Sequence, residues 1–176
     1  IVTTALPDLG SDGLKNISVK VINPVGSESH LSNSVNVTLD TSPPAITLDP
    51  TLMGDNIINA SEISSVTLSG TVGAVTSDIG DTVTINYTDG THSGSATTTI
   101  SSSYTWQTSG VNLSSFNQGN VTVSASVTDV AGNISSIASK TLLIDTIAPT
   151  ISSAQVAGTN LQISLSELGK IGRAHV

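Results

Sequence analysis

The sequence has no cysteine and few aromatic or basic residues. Without cysteine the protein can form neither a disulfide nor a thiolate metal site. Only five residues are Lys or Arg, against thirteen Asp or Glu, which gives a formal net charge of −8. Nucleic acids and anionic lipids are bound by basic surfaces, so we expect neither as a partner. No apolar run approaches the roughly 20 residues of a membrane helix, so we expect no membrane insertion.

The abundant residues are Ser and Thr, which number 29 and 24 of the 176 residues. Such a composition is compatible with disorder, but the hydrophobic residues, 37% of the chain, are mostly β-branched and regularly placed. Apolar and polar residues alternate over 66–72, 83–87 and 121–128. Alternation with period two is typical of a half-buried β-strand, because successive side chains point to opposite faces. The chain is therefore predicted to be a folded β protein.

Two sequence blocks recur in the same order about one domain length apart. Residues 40–46 recur as 145–151 at an offset of 105, and residues 17–26 align with 123–132 at an offset of 106. Repeats of this kind indicate tandem modules. We predict the last strands of a preceding module (1–39), a complete module (40–147), the start of a following module of a different subtype (148–170), and a probable sequencing-adapter artefact (171–176). The chain is thus expected to be a fragment of a longer array.

The complete module contains about seven short strand patterns separated by turn signals. These patterns lie at 45–48, 66–72, 82–87, 96–100, 104–107, 121–128 and 140–144, with turn signals that include Asp89-Gly90 and Ser93-Gly94. No connection is long enough for a crossover helix, and Asn59–Ile63 could form a single helical turn. The prediction is an all-β fold, an immunoglobulin-like antiparallel β-sandwich in tandem modules.

The single tryptophan separates two interpretations. Trp106, with Leu113 and Phe116, is predicted to fill the core, where large side chains are scarce. A carbohydrate-binding module would instead expose Trp106 as a stacking platform, beside Tyr104 or Tyr87.

Acidic residues are concentrated in the loops of the complete module. Residues 40–145 contain nine acids and one base, Lys140, which accounts for the whole net charge. Threading the strands into a sandwich places Asp40 at the end that carries the 78–81 loop and the 129–133 turn. The segment 49–62 lies at the opposite end with Asp145. Like charges gathered at one end of a module repel one another. Calcium binds six to eight oxygen ligands and would offset this repulsion. The alternative is that these are solvated surface acids, and Asp89 is explained by its Asp-Gly turn alone.

Several strings together resemble a known family. Asp55-Asn-Ile-Ile-Asn-Ala-Ser-Glu62, Leu68-Ser-Gly-Thr71, Val127-Thr-Asp-Val-Ala-Gly-Asn133 and Asp145-Thr-Ile-Ala-Pro149 are similar to segments of the Ig-like tandem repeats of large calcium-binding bacterial surface adhesins, of the biofilm-associated type secreted by type I systems. The resemblance implies calcium at module junctions, with Asp40, Asp55, Glu62, Asp129 and Asp145 as metal ligands. The preceding module departs from the pattern, because Asn23-Pro24 stands where Asp129-Val130 would be expected.

No motif points to catalysis. The three His belong to no plausible constellation, and no phosphate-binding loop, zinc motif or nucleophile elbow is present. The predicted function is a structural or adhesive repeat of a secreted or surface-anchored adhesin, stiffened by calcium. Its predicted partners are neighbouring modules and a host-cell or biofilm ligand. A glycan-binding or other ligand-binding β-sandwich is the alternative.

Overall fold

The computed structural model describes residues 7–75 and 78–166. The elements named below are all strands, and the described residues contain no helix long and apolar enough to cross a membrane. The strands are β1 (Gly13–Ile17), β2 (Val35–Leu39), β3 (Ile46–Leu48), β4 (Ile57–Ile58), β5 (Val66–Val72), β6 (Thr82–Thr88), β7 (Ser93–Thr99), β8 (Thr105–Val111), β9 (Gly119–Thr128), β10 (Ala138–Ile144), β11 (Ile151–Ala157) and β12 (Asn160–Leu165). The predicted adapter segment 171–176 lies outside the described residues.

Strands β3 to β10 form two sheets packed face to face. The order is β3-β5-β8 in one sheet and β4-β10-β9-β6-β7 in the other. Every pairing is antiparallel except β10 with β4, where Leu143 lies opposite Ile57 in parallel register. This confirms the predicted immunoglobulin-like sandwich.

The core lies between the inner faces of these sheets, because the alternating apolar positions all point inward. Its fully buried side chains are aliphatic except for Trp106, which is 2% exposed. The indole of Trp106 lies against Gly70, where a Cβ would approach ring atom Cζ2 to 2.7 Å. Leu113 is also buried, and Phe116 packs at the margin of the core. The core position predicted for Trp106 is confirmed.

Two local features differ from the sequence expectations. Ser93-Gly94, predicted to be a turn, begins strand β7. The ring of Tyr87 lies over Gly94, where a Cβ would meet ring atom Cε2 at 2.5 Å, so the glycine accommodates a cross-strand aromatic side chain. Strand β4 was not predicted, because two residues are too short to show a period. The single helical turn at Asn59–Ile63 is present, since Ile63 N donates to Asn59 O at 3.0 Å.

The hairpin of β1 and β2 repeats the hairpin of β9 and β10. Gly13↔Leu39 of the first hairpin corresponds to Gly119↔Ile144 of the second, at offsets of 106 and 105 residues. The register is the same along the rest of the first hairpin, as far as the pair Ile17↔Val35. The isolated bridges also correspond, as Ile22↔Glu28 and Thr128↔Ile134. The third pair of strands, β11 and β12, forms a separate hairpin.

Candidate cation site at the module junction

Three carboxylates are buried at the end of the sandwich where the linker from residue 40 enters. Asp78 and Asp81 lie in the connection from β5 to β6, and Asp129 directly follows β9. Their exposed fractions are 5%, 9% and 8%. Aspartate is seldom buried to this extent unless its charge is compensated, so this end of the module holds an unusual concentration of negative charge.

Asp129 is held by the turn that it starts. Its Oδ1 accepts hydrogen bonds from the backbone N–H groups of Ala131 at 3.0 Å and Asn133 at 2.8 Å. The side chain of Asn133 donates to Asp129 Oδ2 at 2.9 Å. These bonds, that from the Asn133 side chain foremost, hold the pKa of Asp129 below its usual value despite the opposing effect of burial. Asp129 is therefore fixed as an ionised carboxylate.

The linker docks onto the same turn. Asn133 Nδ2 donates to the backbone carbonyl of Asp40 at 3.1 Å as well as to Asp129 Oδ2. One amide nitrogen thus places a linker oxygen and an oxygen of Asp129 close together. The carboxylate of Asp40 accepts from Ser42 N at 3.2 Å through Oδ1. Asp40 was predicted to lie at the same end as the 129–133 turn, and the bond from Asn133 Nδ2 to the Asp40 carbonyl is the contact between them.

Asp81 is the least compensated of the three carboxylates. Its Oδ2 is fully buried and has no hydrogen-bond partner among the described residues. Burial raises the pKa of Asp81, and the negative charges of Asp78 and Asp129 raise it further. Both effects mean that the ionised side chain lacks a positive partner. A cation with oxygen ligands fits this donor set, because it would supply the missing charge and coordinate the orphaned oxygen.

The carboxylates do not form a closed cage in this conformation. Within 7–75 and 78–166, no group of three or more Asp, Glu or His side chains is already arranged to hold a metal ion. Asp78 and Asp81 were absent from the ligand set predicted by resemblance. The strand threading had already placed their loop at this end, so that threading was the signal that could have added them.

At the opposite end, the predicted ligands serve local turns. Asp55 Oδ1 accepts from Ile57 N at 2.8 Å, and Glu62 Oε2 accepts from Asn59 N at 3.0 Å. The latter bond caps the single helical turn. Asp145 Oδ1 accepts from Ile147 N at 3.2 Å. Asp145 and residues 59–61 line a shallow pocket of about 310 Å³, whereas Asp55 and Glu62 are not among its lining residues.

Asp89 has a structural role, in keeping with its position in an Asp-Gly turn. Its carboxylate accepts backbone N–H groups from Thr91 at 2.8 Å, His92 at 2.6 Å and Asn117 at 2.7 Å. These bonds, led by that from His92, lower the pKa of Asp89 well below its usual range. The side chain joins two loops and is fully occupied in doing so.

The aromatic side chains offer no exposed stacking platform in the described residues. Trp106 is buried, and Tyr87 packs against Phe116 with ring centroids 5.8 Å apart. The outer face of the five-stranded sheet has a shallow pocket of about 470 Å³. It is lined mainly by short polar side chains, among them Asn86, Ser95 and Thr122.

Comparison with solved structures agrees with this fold. A tetra-tandem repeat from the extending region of a large adhesion protein matches with a TM-score of 0.53 and 22% identity, over 90% of this chain and 46% of that chain. A bacterial immunoglobulin-like domain of the M. primoryensis ice-binding adhesin matches at 26% identity and a TM-score of 0.44, over 60% of this chain and all of that domain. The chain resembles the repeats of large bacterial adhesins. It spans under half of the tetra-tandem structure.

A Ca²⁺-stabilised adhesin of an Antarctic bacterium is also similar, at 27% identity and a TM-score of 0.46, over 82% of this chain and 35% of that chain. No protein-family model matches the chain, and no curated protein matches it. The structural similarity to the tetra-tandem repeat therefore supports the fold alone. The similarity does not assign an activity to the whole protein.

Proposed function

We propose that this chain is a structural and adhesive repeat of a large secreted or cell-surface bacterial adhesin, and that calcium stiffens its module junctions. Its expected partners are the neighbouring modules of the same chain and a host-cell or biofilm surface ligand. Two features support this function: the Ig-like sandwich shared with repeats of a large adhesion protein, and the duplicated hairpin and linker. No catalytic role is proposed.

The observation that carries the calcium proposal is the buried, unpartnered Oδ2 of Asp81 beside two further buried carboxylates. We assign Asp81, Asp78 and Asp129, together with Asp40 of the linker, to a junction site. Calcium would there coordinate carboxylate oxygens from two loops and oxygens from the linker. Because the carboxylates are not yet arranged as a cage, binding would draw the 78–81 loop toward the 129–133 turn.

Asp55, Glu62 and Asp145 are proposed as the corresponding ligands at the other end of the module. Their carboxylates each accept one local backbone N–H, so each keeps a second oxygen for a cation. A following module would supply the remaining ligands, as the 78–81 loop and the 129–133 turn do for Asp40.

Calcium titration of the full chain tests the junction site, with thermal unfolding followed by Trp106 fluorescence. We expect calcium to raise the melting temperature, because it binds only the folded arrangement. The free energy of unfolding should rise by about 2.7 kcal/mol when the calcium concentration is 100 times Kd. The particle should also lengthen in small-angle scattering. Magnesium, which requires stricter octahedral geometry, should have a smaller effect.

Two substitutions place the effect at the junction. Asp81→Asn should raise the melting temperature in EDTA, because it removes a buried uncompensated charge, and should reduce the calcium increment. Asp129→Asn should also reduce that increment. Asp8→Asn is the matched control, since Asp8 accepts from Gly10 N in its own turn at 2.8 Å and should leave the increment unchanged. An identical calcium response in all four proteins, or none in the wild type, would contradict the site.

The glycan-binding alternative has less support. Its aromatic platform is absent because Trp106 lies in the core. The polar pocket on the outer face of the five-stranded sheet has only small side chains around it and an edge contribution from Tyr87.

A further inference from the structure

Both linkers begin with the same hydrogen bond from a backbone N–H to an aspartate side chain. Asp40 Oδ1 accepts from Ser42 N, and 105 residues later Asp145 Oδ1 accepts from Ile147 N, each at 3.2 Å. Each aspartate therefore closes a tight turn two residues long directly after the last strand of a module. The residue inside each turn is a threonine, Thr41 or Thr146.

In each case that threonine is held by the side chain of the residue directly before the first strand of the hairpin. Asp12 precedes β1, and its Oδ1 accepts from Thr41 N at 3.0 Å and from Thr41 Oγ1 at 2.7 Å. Its Oδ2 accepts from Ser42 Oγ at 2.6 Å. One carboxylate thus binds three donor groups of the linker.

Gln118 occupies the same place in the complete module, one position before β9. Its Nε2 donates to Thr146 Oγ1 at 2.6 Å, and its Oε1 accepts from Thr146 N at 2.8 Å. The two residues differ in chemistry, since the carboxylate only accepts and the amide both accepts and donates. They reach the same two threonine groups because the hairpins have the same register, with Gly13 opposite Leu39 and Gly119 opposite Ile144.

We propose that Asp12 and Gln118 are linker-positioning residues, each of which clamps the first residues of a linker to the end of the module that it leaves. The clamp fixes the direction in which the chain departs, and hence the angle at which the next module is presented. At the first junction the incoming side is also held, because Asn133 Nδ2 donates to Asp40 O at 3.1 Å. Residues 40–42 are therefore tied to the structures on both sides.

This inference goes beyond the calcium proposal and does not depend on it. The bonds of the clamp use protein atoms only, so the clamp acts in the absence of divalent ions. Ordering a linker opposes its conformational entropy, and several bonds converging on consecutive residues offset that cost cooperatively. A cation at the same junction would further stabilise the linker direction that the clamp sets.

The absence of cysteine from the chain allows a direct test with pairs of spin labels. For the first junction, labels are attached to Thr38→Cys and Thr122→Cys, both exposed positions on opposite sides of the linker. Distance distributions are recorded in EDTA on the full chain. We expect one narrow distribution in the parent protein, roughly twofold broadening with Asp12→Ala, and little change with Asp12→Asn, whose amide can accept from Thr41 N and donate to a hydroxyl oxygen.

Asp8→Ala is the control for loss of charge, because Asp8 lies four residues away and contacts its own turn. For the second junction, labels at Thr122→Cys and Gln155→Cys report on Gln118→Ala, which should broaden that distance and leave the first one unchanged. Hydrogen exchange of the Thr41 and Thr146 amides gives a second readout, and each should lose protection only in its own clamp variant. Trp106 fluorescence verifies that the core stays folded.

Unchanged widths in Asp12→Ala and Gln118→Ala would overturn the clamp, and so would equal broadening by Asp8→Ala. Since every measurement is made in EDTA, this failure would leave the calcium proposal intact. A missing calcium response in the wild type would equally leave the clamp intact.

Discussion

The hairpin of β1 and β2 and the hairpin of β9 and β10 have the same register and turn, yet only the second lies in a core. In both turns an Asx side chain accepts two backbone N–H groups. Asn23 does so from Val25 and Ser27, and Asp129 does so from Ala131 and Asn133. In both, a serine hydroxyl also accepts from a backbone N–H, at 2.9 Å from Val21 and 3.0 Å from Val127.

The environments differ at the same positions. Val21 is 70% exposed and its counterpart Val127 is 1% exposed, while Val19 is exposed and its counterpart Ala125 is buried. The comparison shows that register and turn follow from local sequence, because the same turn chemistry produces them with or without a packed sheet. Burial follows from the strands that cover the hairpin.

The largest effect is expected from removing the same methyl groups in both hairpins. Val127→Ala should lower the free energy of unfolding by about 2 kcal/mol, since it deletes two fully buried carbon groups and leaves a cavity. Val21→Ala should change it by less than about 0.5 kcal/mol, because that side chain is exposed. Urea unfolding followed by Trp106 fluorescence measures both, and equal losses would break the comparison.

A smaller effect is expected from removing the paired serine hydroxyls. Ser135 is 6% exposed, so Ser135→Ala leaves the N–H of Val127 buried without its acceptor and should cost about 1–2 kcal/mol. Ser29→Ala should be nearly neutral, because water can replace the hydroxyl at an exposed turn. The same unfolding assay distinguishes them, and a loss in Ser29→Ala as large as in Ser135→Ala would show that the turn itself determines stability.

The smallest effect concerns the turn carboxylate and appears only on acidification. The folded pKa of Asp129 lies below its usual value of 3.8, so its stabilising contribution is present above that value and is lost as pH falls through the folded pKa. Asp129→Asn, which copies Asn23, should therefore reduce the loss of stability between about pH 4 and pH 2. Asn23→Asp should leave the pH dependence of core unfolding unchanged.

Asp81 contributes with the opposite sign. Its folded pKa is raised, so its contribution to stability is complete below 3.8 and is lost as pH rises through the folded value. In EDTA, Asp81→Asn should accordingly stabilise the protein at neutral pH and have less effect in acid. Melting temperatures across this range test the sign, and a uniform shift at all pH values would contradict the assignment to charge.

Much of the fold could be predicted from the sequence because period-two alternation is a local signal. The strands from β5 to β10 were found in this way, apart from the start of β7 and the second half of β8, residues 108–111. At the start of β7 the glycine beside Ser93 indicated a turn, whereas in the structure this glycine lies in the sheet, under the ring of Tyr87 from the neighbouring strand β6. The two residues of β4 carry no period, and their parallel pairing with β10 arises only when the chain has folded.

The candidate site was predicted less completely. Asp40 and Asp129 belong to recurring strings, so the resemblance identified them as candidates. Asp78 and Asp81 belong to no such string, and what marks them is burial beside Asp129. Asn133 was noted as part of a turn, but its bond to the linker joins residues 93 positions apart, which no local pattern can show.

By itself the sequence determined the class of fold, the spacing of the recurring strings, most of the turns and the excess of negative charge, because each depends on neighbouring residues or on simple counts. The tertiary structure alone decided which hairpin is buried, which carboxylates lose their solvent and which side chains hold the linkers. Those properties depend on distances between residues remote in the chain, and packing sets such distances only after the two sheets have closed on each other.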